Sequence, residues 1–237
     1  MATHATTCPA MQPDVASTAD IHERLAAKGL LPAEHFADPA HVDAALLVGS
    51  RRDRGIPLQG PVRGVANQLA RAEGYGQRQS AIDRDREQVI RPQGKTPVTW
   101  QAGRDQGGVP RIQVVFSRTG CGACAARPLC TPAKAGRRSA HFHPRPECEA
   151  LNAARARMHD PAWKQRRHVR AGTEGTLSQS VRAFGMRRSR CVGLAETGLQ
   201  HACTAAAVNV TRIVNRLEQK PRAKTRVTRS TALAQAA

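Results

Sequence analysis

Acidic and aromatic residues are what this sequence has least of. Against 37 Lys and Arg stand 18 Asp and Glu, a formal net charge of +19 over 237 residues. An excess of that size points to a polyanionic partner, nucleic acid before an anionic membrane surface. Aromatic residues make up 3% of the chain, with 2 Trp, 1 Tyr and 4 Phe, which excludes base stacking as the main grip on nucleic acid. Phosphate contacts with a steep salt dependence are expected instead. No stretch approaches the ~20 apolar residues of a membrane-spanning helix. No charged-then-apolar N-terminus marks a signal peptide, and the cytoplasm is the expected compartment. The 7 cysteines are odd in number, which argues against a disulfide framework. The length allows one sizeable core, or one domain carrying a large insertion.

Local pattern divides the chain. Residues 1–17 show no periodicity, and Thr18 or Asp20 is placed to cap a helix over Ile21 and Leu25 that stops at Gly29. His35-Phe36-Ala37 reads as a short buried strand with Asp38 at its carboxyl end, the position where α/β sheets gather functional groups. The alternative reading of Asp38, before Pro39, is a turn residue or helix cap. Val42, Ala45, Leu46 and Gly49 have helical spacing up to Gly55, and residues 56–66 read as a strand with a Gly/Pro-rich turn. Between 67 and 110 apolar residues thin out, although Ala81-Ile82 and Val89-Ile90 suit a hairpin, and Arg111–Phe116 alternates as a strand. Glu147–Met158 is helical, and Asp160-Pro161 opens a further helix. Leu199, Ala202, Ala206, Val210, Ile213 and Leu217 form the stripe of a long amphipathic helix packing on a core. A basic, low-complexity tail follows, with the composition of a disordered segment.

Two groups of residues carry chemistry. Cys121-Gly-Ala-Cys124 followed by Cys130 gives Cys-x2-Cys-x5-Cys, three of the four soft ligands a structural zinc wants. His141, His143 and Cys148 are further donors whose spacing does not select them, and three reduced thiols in a turn-rich segment remain the alternative. The second group surrounds Glu174, a lone acid among Arg166, Arg167, Arg170, Arg182, Arg187, Arg188 and Arg190. Arg170 and Glu174 are four apart, one face of a helix. Spacing alone leaves two readings, a solvated face neutralised by Arg170 and a metal-binding carboxylate beside a phosphate-gripping surface.

The ordered strings Arg170-Ala-Gly-Thr-Glu174-Gly-Thr-Leu-Ser-Gln179, Arg182-Ala-Phe-Gly-Met-Arg-Arg-Ser-Arg190 and Gly193-Leu-Ala-Glu-Thr-Gly-Leu-Gln-His201 resemble the C-terminal part of bacterial insertion-sequence transposases of the DDE type. The resemblance runs from about residue 10 to residue 220. It implies an α/β, ribonuclease H-like catalytic fold interrupted by a β-rich insertion, and metal-dependent DNA strand cleavage and transfer. Glu174 would be the catalytic glutamate, flanked by Arg170 and Arg182. Asp38 would be the second catalytic aspartate, where Asp38-Pro39-Ala40-His41 replaces the small pair and aromatic of the family motif. Arg167 and His168 stand where the family usually has an aromatic. Asp38 and Glu174 would hold Mg²⁺ or Mn²⁺, and Arg170, Arg182, Arg187, Arg188 and Arg190 would contact DNA.

The Zn²⁺ reading at Cys121, Cys124 and Cys130 rests on the Cys-x2-Cys-x5-Cys spacing; relatives of this family carry a further cysteine where this chain has Arg91-Pro-Gln-Gly94, so the fourth ligand is absent here. Insertion-sequence ends and target DNA are the implied partners, with a homodimer as the implied assembly and no membrane. The expected domains are 1–66, a partial ribonuclease H-like core; 67–146, the β-rich insertion; 147–218, the helical remainder of the core; and 219–237, the tail. Only Asp14 and Asp20 precede Asp38, and neither reads as strand-borne. The expectation is therefore the C-terminal part of a transposase, as a decayed or frame-interrupted copy or from a misplaced start. The competing class is a non-catalytic basic DNA-binding protein, with an RNA-binding or ribosome-associated protein third. Both fit the charge; the first does not need the missing aspartate, and the second gives Asp38 and Glu174 no role.

Overall fold

The computed structural model describes residues 1–63, 75, 80–131 and 138–221. The turn after residue 63 and the tail from 222 onward lie outside the described residues. Two compact units form, Ala10–Arg170 and Met1–Pro9 with the chain from Ala171.

In the Ala10–Arg170 unit, helix α1 (Asp14–Ala27) starts earlier than the periodicity predicts. Pro13 in extended geometry opens it, and it ends before Gly29 at φ +64°. Thr18 and Asp20, expected as caps, lie inside it, because Pro at the entrance and Asp14 in the first turn suit a helix N-terminus. Strand β1 (His35–Phe36) and strand β2 (Leu58–Gln59) pair in parallel, His35 opposite Leu58. A parallel pair needs a crossover. Here it is a 3-10 turn, Pro39–His41, and helix α2 (Ala44–Arg54). Asp43 caps α2 by accepting from the Leu46 amide at 2.7 Å, and Gly55 at φ +68° ends it. The buried residues of α2 are Ala44, Leu47 and Ser50, with Val42 buried just before it; of the expected Ala45, Leu46 and Gly49, Leu46 packs partly buried against the same cluster. The Pro39 turn uses up the residues that would have begun the helix sooner.

Strand β3 (Ala81–Asp83) and strand β4 (Gln88–Ile90) form the expected hairpin, Ile82 opposite Val89. Strands β5 (Pro97–Arg104), β6 (Pro110–Phe116) and β7 (Ser139–Phe142) make an antiparallel sheet in that order. Short helices α3 (Arg118–Gly122) and α4 (Arg127–Cys130) follow β6. Helices α5 (Arg145–Arg157) and α6 (Pro161–Arg167) come next, then a 3-10 turn, His168–Arg170. Asp160 caps α6 at the Ala162 amide, 2.9 Å away, with Pro161 in its first turn.

The unit has two apolar clusters. Ala37, Val42, Leu47, Leu58, Leu151 and Ala154 bring α2 and α5 against the β1–β2 pair. Val89, Val114, Phe116 and Phe142 join the hairpin to the antiparallel sheet.

The other unit is built on helices α7 (Ala171–Phe184) and α8 (Leu194–Leu217). Gly172 and Gly175 lie within α7 and do not break it. Arg212 on α8 donates to the Gln179 and Thr176 oxygens of α7 at 2.9 and 2.8 Å. The N-terminal strand of chain lies along α8. The Ala2 amide donates to the Asn209 side chain at 2.8 Å, and the Thr7 hydroxyl meets His201 at 2.8 Å. Within this unit most of the apolar stripe of α8 is left open. Thr204 and Val208 are the buried residues, while Leu199, Val210 and Leu217 are 66%, 60% and 77% exposed.

Candidate active site

Asp38 follows β1 by two residues and opens the 3-10 turn, so strand geometry fixes where its carboxylate leaves the sheet. The backbone there is pinned. The Ala37 amide donates to the Gln59 carbonyl of β2 at 2.8 Å. Gly60 leaves no room for a side chain, since an added Cβ would lie 2.6 Å from Val42 and 3.0 Å from the Ala37 carbonyl oxygen. Only glycine lets the chain after β2 pass this close to the Asp38 turn.

The Asp38 carboxylate is ion-paired to the Arg170 guanidinium, a hydrogen-bonded contact across 132 positions of sequence. Arg170 is the more covered partner, its side chain 17% exposed against 46% for Asp38. The segment carrying Arg170 is held by α6. Trp163 is buried, and its indole N–H donates to the Gln59 side-chain oxygen at 2.9 Å. Arg166 reaches Glu34, just before β1, at 3.7 Å. The Trp163 and Arg166 contacts therefore tie α6 to both strands of the parallel pair.

Beneath β1 lies a histidine pair. His22 of α1 is buried, and its Nε2 meets His35 Nδ1 at 2.7 Å. Burial pushes His35 down to about 4, helped by the nearby His22 and His41. Burial, then Arg54, lowers His22 as well. Both rings are neutral at physiological pH, and one donates to the other.

Glu174 sits in the first turn of α7, and Arg182 is two turns further along the same helix, exposed. Arg187, Arg188 and Arg190 are exposed on the connection to α8. Gln200 holds that connection, accepting from the Arg190 amide at 2.9 Å and donating to the Arg188 carbonyl at 2.8 Å. The backbone bonds leave the three guanidinium groups outward, with no ion pair among the described residues, as a phosphate-binding surface requires.

Cys121, Cys124 and Cys130 line one cavity of about 50 Å³. Arg91, Arg127 and Arg138 line it too, and among the described residues no carboxylate does. Arg91 is 9% exposed, lies over the Phe116 ring at 4.8 Å, and has a terminal nitrogen buried without a hydrogen-bond partner. Arg91 begins the Arg91-Pro-Gln-Gly94 turn, so an arginine lines the cavity of the three thiols where relatives carry a further cysteine. Burial, then Arg91, lowers Arg138, and burial raises the Cys130 thiol.

Among the described residues no three His, Cys, Asp or Glu side chains are grouped to hold a metal ion. That applies to the cysteines, where a cation replaces a ligand, and to Asp38. Carboxylates suit Mg²⁺ in their chemistry, but the described ligand set is smaller than two such ions require. The Arg170–Asp38 pair was not foreseen from sequence, which gave Arg170 to Glu174 and DNA. No local signal marks a partner so far away in the chain.

A short parallel strand pair with an acidic residue at its carboxyl end, in a strongly basic mixed α/β chain, defines a candidate polynucleotide-processing protein. A family model described as transposase DDE domain matches residues 90–214, more than half of the chain, and the chain belongs to that family. The match takes in Glu174, its flanking arginines and the three cysteines; Asp38 precedes it. No curated protein and no solved structure matches the chain. No helix among the described residues is long and apolar enough to cross a membrane.

Proposed function

We propose that this protein is a DDE-type DNA transposase with a ribonuclease H-like core, in which Asp38 and Glu174 are the metal-ligating acids of strand cleavage and transfer. The observation that carries the reading is Asp38 at the end of a parallel strand, paired with Arg170, the residue four ahead of the family's glutamate position. Bound Mg²⁺ or Mn²⁺ would activate the attacking oxygen and stabilise the leaving one. Arg170 orients the Asp38 carboxylate and compensates its charge. Arg182, Arg187, Arg188 and Arg190 hold DNA phosphates, for which planar guanidinium groups are suited. The substrates are insertion-sequence ends and target DNA, and the protein acts as a homodimer.

Two carboxylates do not complete a two-metal site. Of the acids before Asp38, Asp14 opens α1, and Asp20 lies inside it, paired with Arg24 at 2.9 Å. Neither stands on a strand. The third acid of such a site is therefore not assigned by these two. The protein should cut insertion-sequence ends in Mg²⁺ or Mn²⁺. Asp38→Asn and Glu174→Gln should each abolish that cleavage. Cleavage surviving either substitution contradicts the assignment. If the protein binds DNA with a steep salt dependence but never cuts, the non-catalytic DNA-binding reading replaces it. In either case alanine at Arg187, Arg188 and Arg190 should flatten the dependence of log affinity on log salt.

A further inference from the structure

Four cations converge on the cavity of the three cysteines. Arg91, Lys95, Arg127 and Arg138 line it, and among the described residues no carboxylate does. Arg91 and Lys95 start from one tight turn, closed by the Arg91 amide donating to the Lys95 carbonyl at 3.1 Å, with Gly94 at φ +68°. The Arg138 backbone is tied to Phe116, whose amide donates to the Arg138 carbonyl at 2.9 Å. Phe116 is also the ring under the Arg91 guanidinium, so the two arginines share one wall. Arg91 is 9% exposed, and one of its terminal nitrogens is buried with no hydrogen-bond partner. A covered guanidinium with an unmade hydrogen bond, beside a second cation, is costly to hold. An anion between the two removes both costs.

We propose that this cavity is an oxyanion site that takes a phosphate group, gripped by Arg91 and Arg138 with Lys95 at its exposed rim. It stands apart from the cleavage reading, because none of these residues is among the acids and arginines assigned there. Guanidinium groups offer paired N–H donors that match phosphate oxygens. The cavity measures about 50 Å³, against ~10–15 Å³ for a single water, so a small tetrahedral oxyanion has room. The wall does not furnish the negative charge itself. Burial raises the Cys130 thiol above its ordinary value, which keeps it protonated at neutral pH. The positive charge that opposes a metal ion at the three sulfurs is what favours an anion. The phosphate is either the free ion or the terminal group of a DNA strand, and the contacts are the same for both.

The test uses the full chain and reads the cavity through its own thiols. Cys121 and Cys124 are half-buried in the wall, and Cys203, outside it, is exposed. Millimolar inorganic phosphate should slow iodoacetamide labelling of Cys121 and Cys124 about tenfold relative to chloride of equal ionic strength. Peptide mapping reads the rates, and Cys203 should not change. Arg91→Met should remove the protection. In urea unfolding, phosphate should stabilise the parent chain over chloride and give Arg91→Met no such gain. If Arg91→Met does not fold, Arg138→Gln takes its place with the same expectation. Short duplexes with 5′-phosphate or 5′-hydroxyl ends distinguish the source. Stronger protection by the phosphorylated duplex than by inorganic phosphate assigns the site to a strand end, and protection by inorganic phosphate alone assigns it to the free ion. Equal protection by both duplexes with none from inorganic phosphate is surface coverage and overturns the site. Protection that survives Arg91→Met overturns it as well.

Discussion

The corner that holds Asp38 and the cavity that holds the three cysteines each contain a largely covered arginine, and they treat it in opposite ways. At the corner Arg170 meets a carboxylate, and a buried tryptophan fixes the segment that carries it. In the cavity Arg91 meets an aromatic ring, three thiols and a second arginine, with one nitrogen left unbonded. A buried charge is tolerable when paired and costly when it is not. The difference separates two groups of residues that look alike in sequence, each a set of chemically competent side chains among arginines. At the corner the arginine's charge is met by a carboxylate. In the cavity the arginine stands in the turn where relatives carry a cysteine.

Breaking the corner at its anchor should give the largest effect. Trp163→Ala removes a buried ring and the partner of the Gln59 side chain, and is expected to destabilise the Ala10–Arg170 unit by about 3–5 kcal/mol. Urea unfolding followed by circular dichroism measures it. The comparison sharpens under acid, because the corner contains groups that titrate there and the cavity lining does not. His35, held down at about 4, stays neutral in the folded protein while the unfolded chain takes up a proton below about 6.5. The unfolded state therefore binds more protons in that window, and stability falls as pH drops through it, by up to about 3 kcal/mol. His35→Asn should flatten this dependence between pH 7 and pH 4. An unchanged slope would mean that the histidine pair does not govern the corner's acid response. Gly60→Ala should cost about 1–3 kcal/mol, because its Cβ would press on Val42 and the Ala37 carbonyl. It should also disturb Asp38 without touching the cavity.

Much of the Ala10–Arg170 unit was legible in the sequence. The hairpin at Ala81–Ile82 and Val89–Ile90 appears in register, and the strand ending at Phe116 and the Asp160-Pro161 helix start lie where local pattern puts them. Those signals are short-range, and the same residues that show the pattern make the contact. The start of α1 was missed because Pro13 acts through backbone geometry and leaves no periodic trace. The face of α8 is a different case. Periodicity reports that one side is apolar and says nothing of what covers it. The Asp38–Arg170 pair spans 132 positions and depends on α6 docking through Trp163, so no window of sequence contains it. In sequence Arg91 shows only as the residue where relatives of the family carry a cysteine; its burial against Phe116 is a property of the folded sheet.

The smallest expected effects carry the most direct test, since they compare the two arginines under one measurement. Arg170→Met strands Asp38 without its counter-ion and should lower stability by about 1–2 kcal/mol. Arg91→Met relieves the repulsion on Arg138 and removes the unbonded nitrogen, and its sulfur still packs on Phe116. It should raise stability by about 1–2 kcal/mol. Urea unfolding of both variants beside the parent chain reads the two signs together. Opposite signs, loss at position 170 and gain at position 91, are the predicted result. A loss of the same size at both positions would contradict the claim that Arg170 is compensated by its carboxylate and Arg91 is not compensated in its cavity.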